Sequence, residues 1–339
     1  MILIKYKRKN DLKPYFYFAL EEYISSNLLN KEQEVFFFMW QIHGIVIGKN
    51  QIIENEVNLD FLKKNNIPIF RRPTGGGCVY NDPQVPLFSI VVRKKDKNFN
   101  FKIYLQKIIN SFKDLGVDLH FSGRNDILLN EKKVSGSAFM QTKHGMIMHG
   151  TLLYDCDVET MVRALNPNDE KLISKGIASV KSRITNLKNH IKNISQKQLH
   201  QFLEEKLTKK NYVLSSKQIL EVELLSKKYM TKEWLYFQHP EYSKILKKRF
   251  SWGYLEILLV LKDGKIIKMN LAGDFFHKSD NLQLFVEKFE GSLYSLPFLE
   301  KILVKNDISE YILDASNKDF ILLLKEGILE KLLDYNNEY

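Results

Sequence analysis

Three consecutive glycines, Gly75 to Gly77, constrain the fold of this chain more than any other short stretch. They lie in the segment RRPTGGGCVYND, and apolar sequence precedes and follows it. Glycine weakens the interior of a helix or strand but suits a loop that needs a bare backbone. The segment therefore predicts a loop between packed strands. Its successive N–H groups can form an anion-binding concavity beside two fixed positive charges, and a plain solvent-facing connection is the alternative.

The composition indicates a globular protein with one large and one small domain. The chain has 339 residues, of which 44% are hydrophobic and 27% are charged. A net charge of +11 favours an anionic partner, but the lysines are scattered in pairs, which argues against nucleic acid. Two cysteines exclude a disulfide scaffold, and no apolar run approaches the roughly 20 residues that span a bilayer. We expect a cytoplasmic protein without a membrane or nucleic-acid partner.

Hydrophobic periodicity predicts an α+β fold. The runs VFFFMW and GIVIGKNQ read as a hairpin or as paired buried strands around His43-Gly44, and Asp263-Gly264 predicts a second hairpin. A segment without clean periodicity places the domain boundary near residue 245, which gives a domain at 1–245 and a small domain at 246–339. Helices are predicted near residues 15–29, 57–65, 105–115, 158–165, 195–209 and 215–229.

Three further polar motifs are candidates for chemistry. In KKVSGSAF, Lys133 and Ser135 alternate with Val134, so we expect both side chains on one face of a strand, with room beside Gly136. His149 in MHGTLL is either a hydrogen-bonded core residue or a ligand contact. The loop SVKSRITNL carries Lys181 among other donors. No zinc-type spacing occurs, and Cys78 is either a nucleophile beside the arginines or a small buried thiol.

These motifs, in this order, resemble the lipoate–protein ligases. The resemblance covers FFFMWQ and VIGKNQ, RRPTGGGCVYND, GRNDILL, KKVSGSAF, HGTLL, SVKSRITNL and RFSWGYLEI, which is nearly the whole chain. It implies a mixed-sheet catalytic domain, like that of the lipoyl and biotin ligases, followed by a small α+β accessory domain. It also implies activation of lipoate by ATP, with Mg²⁺, to lipoyl-AMP. Transfer then follows to a lysine of a lipoyl domain of a 2-oxoacid dehydrogenase E2 subunit or of the glycine-cleavage H protein.

The resemblance also implies site residues. Lys133 matches the active-site lysine of the family, and Asp126 is a candidate ligand for the metal. The implied lipoate pocket comprises Trp40, Gly136, His149 and Gly150. The residues implied to bind ATP and lipoyl-AMP are Arg71, Arg72, Thr74, Gly75, Gly76, Gly77, Cys78, Val79, Tyr80, Asp126, Ser135 and Lys181.

Two alternatives share this scaffold. An octanoyl or lipoyl transferase works through an acyl-enzyme thioester and needs a cysteine near residues 117 to 123, where this chain reads VDLHFSG. A non-catalytic lipoate-binding module is expected to lose the lysine or the glycines, and this chain keeps both. The sequence leaves open whether lipoate or octanoate is preferred.

Overall fold

The computed structural model describes residues 1–7, 13–31, 34–93, 102–122, 125–165, 179–236, 242–279 and 281–337. Its contacts divide the chain into two compact units. The first contains residues 1–47, 53–73 and 78–235, and the second contains residues 48–52, 74–77 and 236–339. The predicted α+β class is confirmed. In the described residues, no helix has both the length and the apolar character needed to cross a membrane.

The first unit is built on a mixed sheet of eight strands in the order β11-β1-β2-β6-β10-β9-β8-β7. Strand β1 lies between two parallel neighbours, β2 and β11. All other neighbouring strands of this sheet, in the order β2-β6-β10-β9-β8-β7, pair in antiparallel fashion. The strands are β1 (Ile2–Lys5), β2 (Val35–Trp40), β6 (Leu87–Arg93), β7 (His120–Ser122), β8 (Asp126–Leu129), β9 (Lys132–Gln141), β10 (Gly145–Thr151) and β11 (Lys210–Val213).

A small second sheet of the first unit has the order β4-β3-β5, formed by β3 (Gly44–Ile47), β4 (Ile69–Arg71) and β5 (Val79–Asn81). Its two faces pack into different apolar clusters. Val46, Phe70 and Val79 face the apolar cluster that contains Trp40. That whole apolar cluster is called the central cluster below. Ile45 and Tyr80 lie in a separate outer cluster. This is the alternation of side chains that a strand imposes.

The predicted pairing of VFFFMW with GIVIGKNQ is wrong. Strand β2 pairs with β1 and β6 of the large sheet, whereas β3 pairs with β4 and β5 of the small sheet. The chain changes sheets at Gly44, whose φ of 143° suits a residue without a side chain. Two apolar runs that are adjacent in the chain thus become strands of two different sheets.

Helices cover the first unit where the apolar periodicity predicted them. Helix α1 begins with Pro14 in its first turn, and it buries a continuous apolar face against the central cluster. The helices are α1 (Pro14–Tyr23), α2 (Ile53–Glu56), α3 (Leu59–Lys64), α4 (Lys102–Lys113), α5 (Val158–Leu165), α6 (Gln196–Leu207), α7 (Ser216–Ser226) and α8 (Lys232–Tyr236). A π-helical turn, Ile24–Leu28, extends α1.

The second unit contains a three-stranded antiparallel sheet, β12 (Lys244–Phe250), β13 (Gly253–Lys262) and β14 (Lys265–Gly273). Asp263 and Gly264 join β13 to β14 with φ values of 50° and 73°, so the predicted second hairpin is confirmed. Three helices, α9 (Leu282–Val286), α10 (Leu296–Leu303) and α11 (Asn317–Asn337), accompany this sheet. The predicted boundary at residue 245 falls inside β12, whose pairing with β13 keeps the whole strand in the second unit.

Candidate active site

Lys133 and Asp126 form an ion pair on adjacent strands of the large sheet. The Nζ atom of Lys133 lies 2.8 Å from Oδ1 of Asp126, and the two side chains are 38% and 34% exposed. Gly136 is the register partner of Asp126, and a Cβ atom on Gly136 would lie 2.8 Å from that Nζ. The bare glycine therefore provides the space in which the ammonium group lies. Lys132, by contrast, is exposed, as a solvent-facing neighbour should be.

The prediction that Lys133 and Ser135 share a face is wrong. The register between β8 and β9 shifts between Ile127 and Leu128, so Lys133 pairs with Leu128 while Ser135 pairs with Ile127. Such an irregularity interrupts the strict alternation of a strand. The ammonium group lies on the Gly136 side, and Ser135 is fully buried with its hydroxyl unpartnered among the described residues.

The segment that carries Lys181 runs beside Lys133. The N–H of Thr185 donates to the carbonyl of Lys133 at 3.0 Å, and Ile184 forms a parallel bridge with Lys133. Lys181 itself is exposed in the helical turn at residues 179–183. The structure thus brings the backbone of this predicted motif to the lysine and leaves the Lys181 side chain facing solvent.

Trp40 and His149 belong to one buried hydrogen-bond network. The Nε1–H of Trp40 donates to Ser89 Oγ at 2.9 Å, and that hydroxyl donates to Glu21 Oε1 at 2.5 Å. His149 Nδ1 lies 3.0 Å from the same carboxylate oxygen. The network crosses from α1 to three strands of the large sheet, β2, β6 and β10, beside the central cluster.

Sequence reasoning missed Glu21 and Ser89, although Glu21 left a signal. It follows Tyr17 by four residues and Phe18 by three, so it lies on the apolar face of α1. Glu21 is fully buried, and a buried carboxylate requires partners of the kind that Ser89 and His149 provide.

Both predicted arginines are buried against backbone carbonyls. Nε of Arg71 donates to Leu235 O at 2.8 Å, and its own carbonyl accepts from Trp234 Nε1 at 2.8 Å. Nη1 of Arg72 donates to Val46 O at 3.0 Å. Burial lowers the pKa of Arg72 to about 10, so this side chain remains cationic at neutral pH. These contacts hold Arg71 and Arg72 within the first unit, and the assignment of both residues to the nucleotide remains a prediction.

The glycines themselves belong to the second unit. A Cβ on Gly75 would lie 2.2 Å from the carbonyl oxygen of Phe275, and the N–H of Gly76 donates to that same oxygen at 3.1 Å. The N–H of Gly76 is therefore bonded within the protein, and the predicted binding of an anion by successive N–H groups stays a prediction. Thr74 O accepts from the N–H of Lys49 at 2.8 Å, whereas a Cβ on Gly77 would meet open space.

The remaining predicted residues line apolar regions of the first unit. Val79 packs on the central cluster, and Tyr80, in the outer cluster, has a pKa raised by burial. Gly150 faces the ring of Phe88, since a Cβ there would lie 2.5 Å from Phe88 Cζ. Loss of solvent raises the pKa of the Cys78 thiol, and burial does the same for Cys156, so neither forms a thiolate readily.

The carboxylate near Lys133 suits a metal ion that is bound mainly by the phosphates of a substrate. It does not suit a metal site made of protein ligands alone. Among the described residues, no three His, Cys, Asp or Glu side chains gather as a metal site. Mg²⁺ commonly binds through one or two carboxylates together with substrate phosphates. Asp126, one-third exposed beside Lys133, fits the role of a single such carboxylate.

Comparison with known proteins gives concordant matches. The model of the lipoyl protein ligase A/B catalytic domain matches residues 13–208, and that of the bacterial lipoate protein ligase C-terminus matches residues 239–324. Lipoate–protein ligase 1 of Staphylococcus aureus is 31% identical over 322 residues, which cover 93% of this chain and 98% of that protein. Lipoate-protein ligase LplJ of Bacillus subtilis is 30% identical over 334 residues, 96% of this chain and 100% of that one.

Solved structures show the same fold. The P. falciparum protein LipL1, in complex with lipoate, aligns with a TM-score of 0.74 at 24% identity, over 97% of this chain and 99% of that one. A bi-partite lipoate protein ligase of Thermoplasma acidophilum, described with its E2 lipoyl domain, aligns with a TM-score of 0.61 at 26% identity. That alignment covers 71% of this chain and 98% of the other. With the catalytic-domain match spanning more than half of its residues, the chain belongs to the lipoate–protein ligase family, as the motifs predicted, and is an enzyme of that kind.

Proposed function

We propose that this enzyme activates lipoate with ATP and then transfers the lipoyl group to a protein lysine. The observation that carries the proposal is the Lys133–Asp126 ion pair above Gly136, because it holds a partly exposed ammonium group at a defined position on the sheet. A charge held in place before the reaction stabilises a transition state without the cost of reorganising solvent.

In the first step, a carboxylate oxygen of lipoate attacks the α-phosphorus of ATP, and pyrophosphate leaves with the electron pair of the broken P–O bond. The product is the mixed anhydride lipoyl-AMP. Lys133 stabilises the negative charge that grows on the α-phosphate oxygens. When bound, Mg²⁺ would neutralise phosphate charge, with Asp126 as its protein ligand. Arg72, Thr74 to Gly77 and Lys181 are proposed to contact the nucleotide, on the strength of the motif match.

In the second step, the ε-amine of the acceptor lysine attacks the acyl carbon, AMP leaves, and the amine proton passes to solvent. Lys133 again stabilises the departing phosphate charge. The apolar character of the residues around Trp40 supports this proposal, since an acyl chain held against such residues would be kept from water together with the anhydride. The acceptor is proposed to be a lipoyl domain of an E2 subunit or the glycine-cleavage H protein. The Thermoplasma ligase described with its E2 lipoyl domain supports the first of these.

The alternative is an acyltransferase that works through a thioester. It requires a reactive thiolate, but the two cysteines of the sequence are Cys78 and Cys156, and burial raises the pKa of both thiols. Replacement of both cysteines by alanine should therefore leave turnover intact. Loss of acyl transfer in that double variant, in a protein that still folds, would favour the thioester route.

The test is lipoate-dependent exchange of pyrophosphate into ATP. Lys133→Ala should slow the exchange by about 10² to 10³, whereas Lys132→Ala, the exposed neighbour, should match the wild type. Lys133→Arg should also be slow, because the planar guanidinium does not fit the space that Gly136 leaves for an ammonium group. Absence of exchange in the wild type would contradict adenylation.

Transfer is tested separately with purified acceptors. An E2 lipoyl domain and an H protein are incubated with enzyme, ATP and lipoate, and mass spectrometry measures the gain of a lipoyl group. An acceptor whose target lysine is changed to arginine is the control. Exchange without transfer to either acceptor would show that the chain performs only the activation step.

A further inference from the structure

Asn81, at the end of β5, is a buried polar residue that the proposed reaction does not use. Its side chain is fully buried, and neither Oδ1 nor Nδ2 has a hydrogen-bond partner among the described residues. Its strand partner in β3 is Gly44, which offers no side-chain partner. An unpaired buried amide is costly, so the presence of Asn81 at this position indicates a role outside the stability of the free protein.

The direction of the Asn81 side chain follows from the strand. Val79 faces the central cluster and Tyr80 lies in the outer cluster, so alternation directs Asn81 to the same side as Val79. That side is the apolar interior that contains Trp40, which belongs to the Trp40–Ser89–Glu21–His149 network. Asn81 therefore brings an unpaired donor and an unpaired acceptor to an interior that is otherwise lined mainly by hydrocarbon.

We infer that Asn81 determines acyl specificity: its amide contacts the dithiolane ring of lipoate and so favours lipoate over octanoate. This inference rests on the proposed function. The sulfurs of a dithiolane are polarisable weak hydrogen-bond acceptors, whereas the saturated end of octanoate offers an amide nothing. With octanoate bound, the amide stays buried and unpaired, and this penalty falls on one substrate only.

The experiment compares the two acids in the pyrophosphate-exchange assay with wild type and Asn81→Leu, which keeps the size of the side chain and removes its polarity. The ratio of kcat/KM for lipoate to that for octanoate should fall about five- to tenfold in the variant. The free variant should melt about 2–4 °C higher than wild type, because an unpaired amide has been removed from the interior. Asn81→Ala should also lower the ratio of kcat/KM for lipoate to that for octanoate. This variant replaces Asn81→Leu in the assay if the leucine variant does not fold.

Asn186 supplies the matched control, since both of its amide atoms are bonded. Its Oδ1 accepts from Cys156 N and its Nδ2 donates to Cys156 O, each at 3.0 Å. Asn186→Leu should melt lower than wild type and keep the substrate ratio.

Equal loss of activity toward both acids in Asn81→Leu would overturn the inference, because it would place the amide at the shared carboxyl end or assign it to stability alone. An unchanged ratio in an active variant would overturn it as well and leave the proposed function intact. A wild type that supports exchange with neither acid would overturn both.

Discussion

Replacement of Gly136 by alanine tests whether the position of the Lys133 ammonium group controls the rate. The new Cβ would lie 2.8 Å from Lys133 Nζ, 2.9 Å from its Cε and 3.6 Å from Asp126 Oδ1. Ordinary contact between such atoms is about 3.5–4.0 Å, so the end of the lysine must move by roughly 1 Å. A displacement of that size in a catalytic group can reduce the rate about 10²-fold.

The fold should tolerate this change. The crowded atoms are the far end of a flexible, half-exposed side chain, which can move without disturbing the sheet. We expect pyrophosphate exchange to slow by about 10 to 10², while the melting temperature stays within about 2 °C of wild type.

A double-mutant cycle separates this mechanism from a direct effect of Gly136 on the substrate. If the alanine acts by displacing Lys133, the variant that combines Gly136→Ala with Lys133→Ala should be no slower than Lys133→Ala alone. Full activity of Gly136→Ala, or additive losses in the double variant, would refute the reasoning.

Three other predictions concern stability. Glu21→Ala should cost about 1–3 kcal/mol in urea unfolding, because it leaves the buried Ser89 hydroxyl and the His149 ring nitrogen without the carboxylate that they contact; unchanged stability would contradict this. Gly150→Ala should cost about 1–3 kcal/mol by forcing a methyl group against Phe88, and wild-type stability would show that the ring moves aside freely. Burial, with the charge of Lys49, lowers the pKa of His277 from 6.5 to about 3. The folded state therefore disfavours the protonated imidazole, so stability should be constant above pH 6.5 and fall by up to about 1.4 kcal/mol per pH unit toward pH 3. His277→Gln should flatten the plot of urea midpoint against pH between pH 6.5 and pH 3. An unchanged slope would exclude His277 as the cause of the loss of stability.

The sequence predicted the elements whose signals are local. The helix at Val158–Leu165 and the hairpin turn at Asp263-Gly264 follow from short-range periodicity and turn chemistry, and both occur as expected. The partners of VFFFMW and GIVIGKNQ could not be read in this way, because each run pairs with strands that are distant in the chain. Apolar content identifies a buried strand, but it does not specify which sheet receives it.

The candidate site shows the same division. The motif order predicted roles for Lys133 and its neighbour Gly136, and the face on which the ammonium group lies depends on an irregularity in the pairing with β8. Glu21 could have been suspected from its place on an apolar helix face, but its partners Ser89 and His149 come from two other strands. The sequence alone does not predict that the Asn81 amide lacks a hydrogen-bond partner, which the structure shows for the residues it describes.

The parallel pairing of β1 with β11 has a consequence for folding during synthesis. Ile2 pairs with Lys210, so roughly 200 further residues are synthesised after β1 before β11, its neighbour on the outer edge, exists. At typical translation rates of about 5–20 residues per second, that wait is on the order of 10 to 40 s. Throughout it, a strand with open hydrogen-bonding groups is available to other chains. This edge of the nascent protein is therefore open to misassociation until β11 has been made, and a folding helper that shields it would act before β11 emerges.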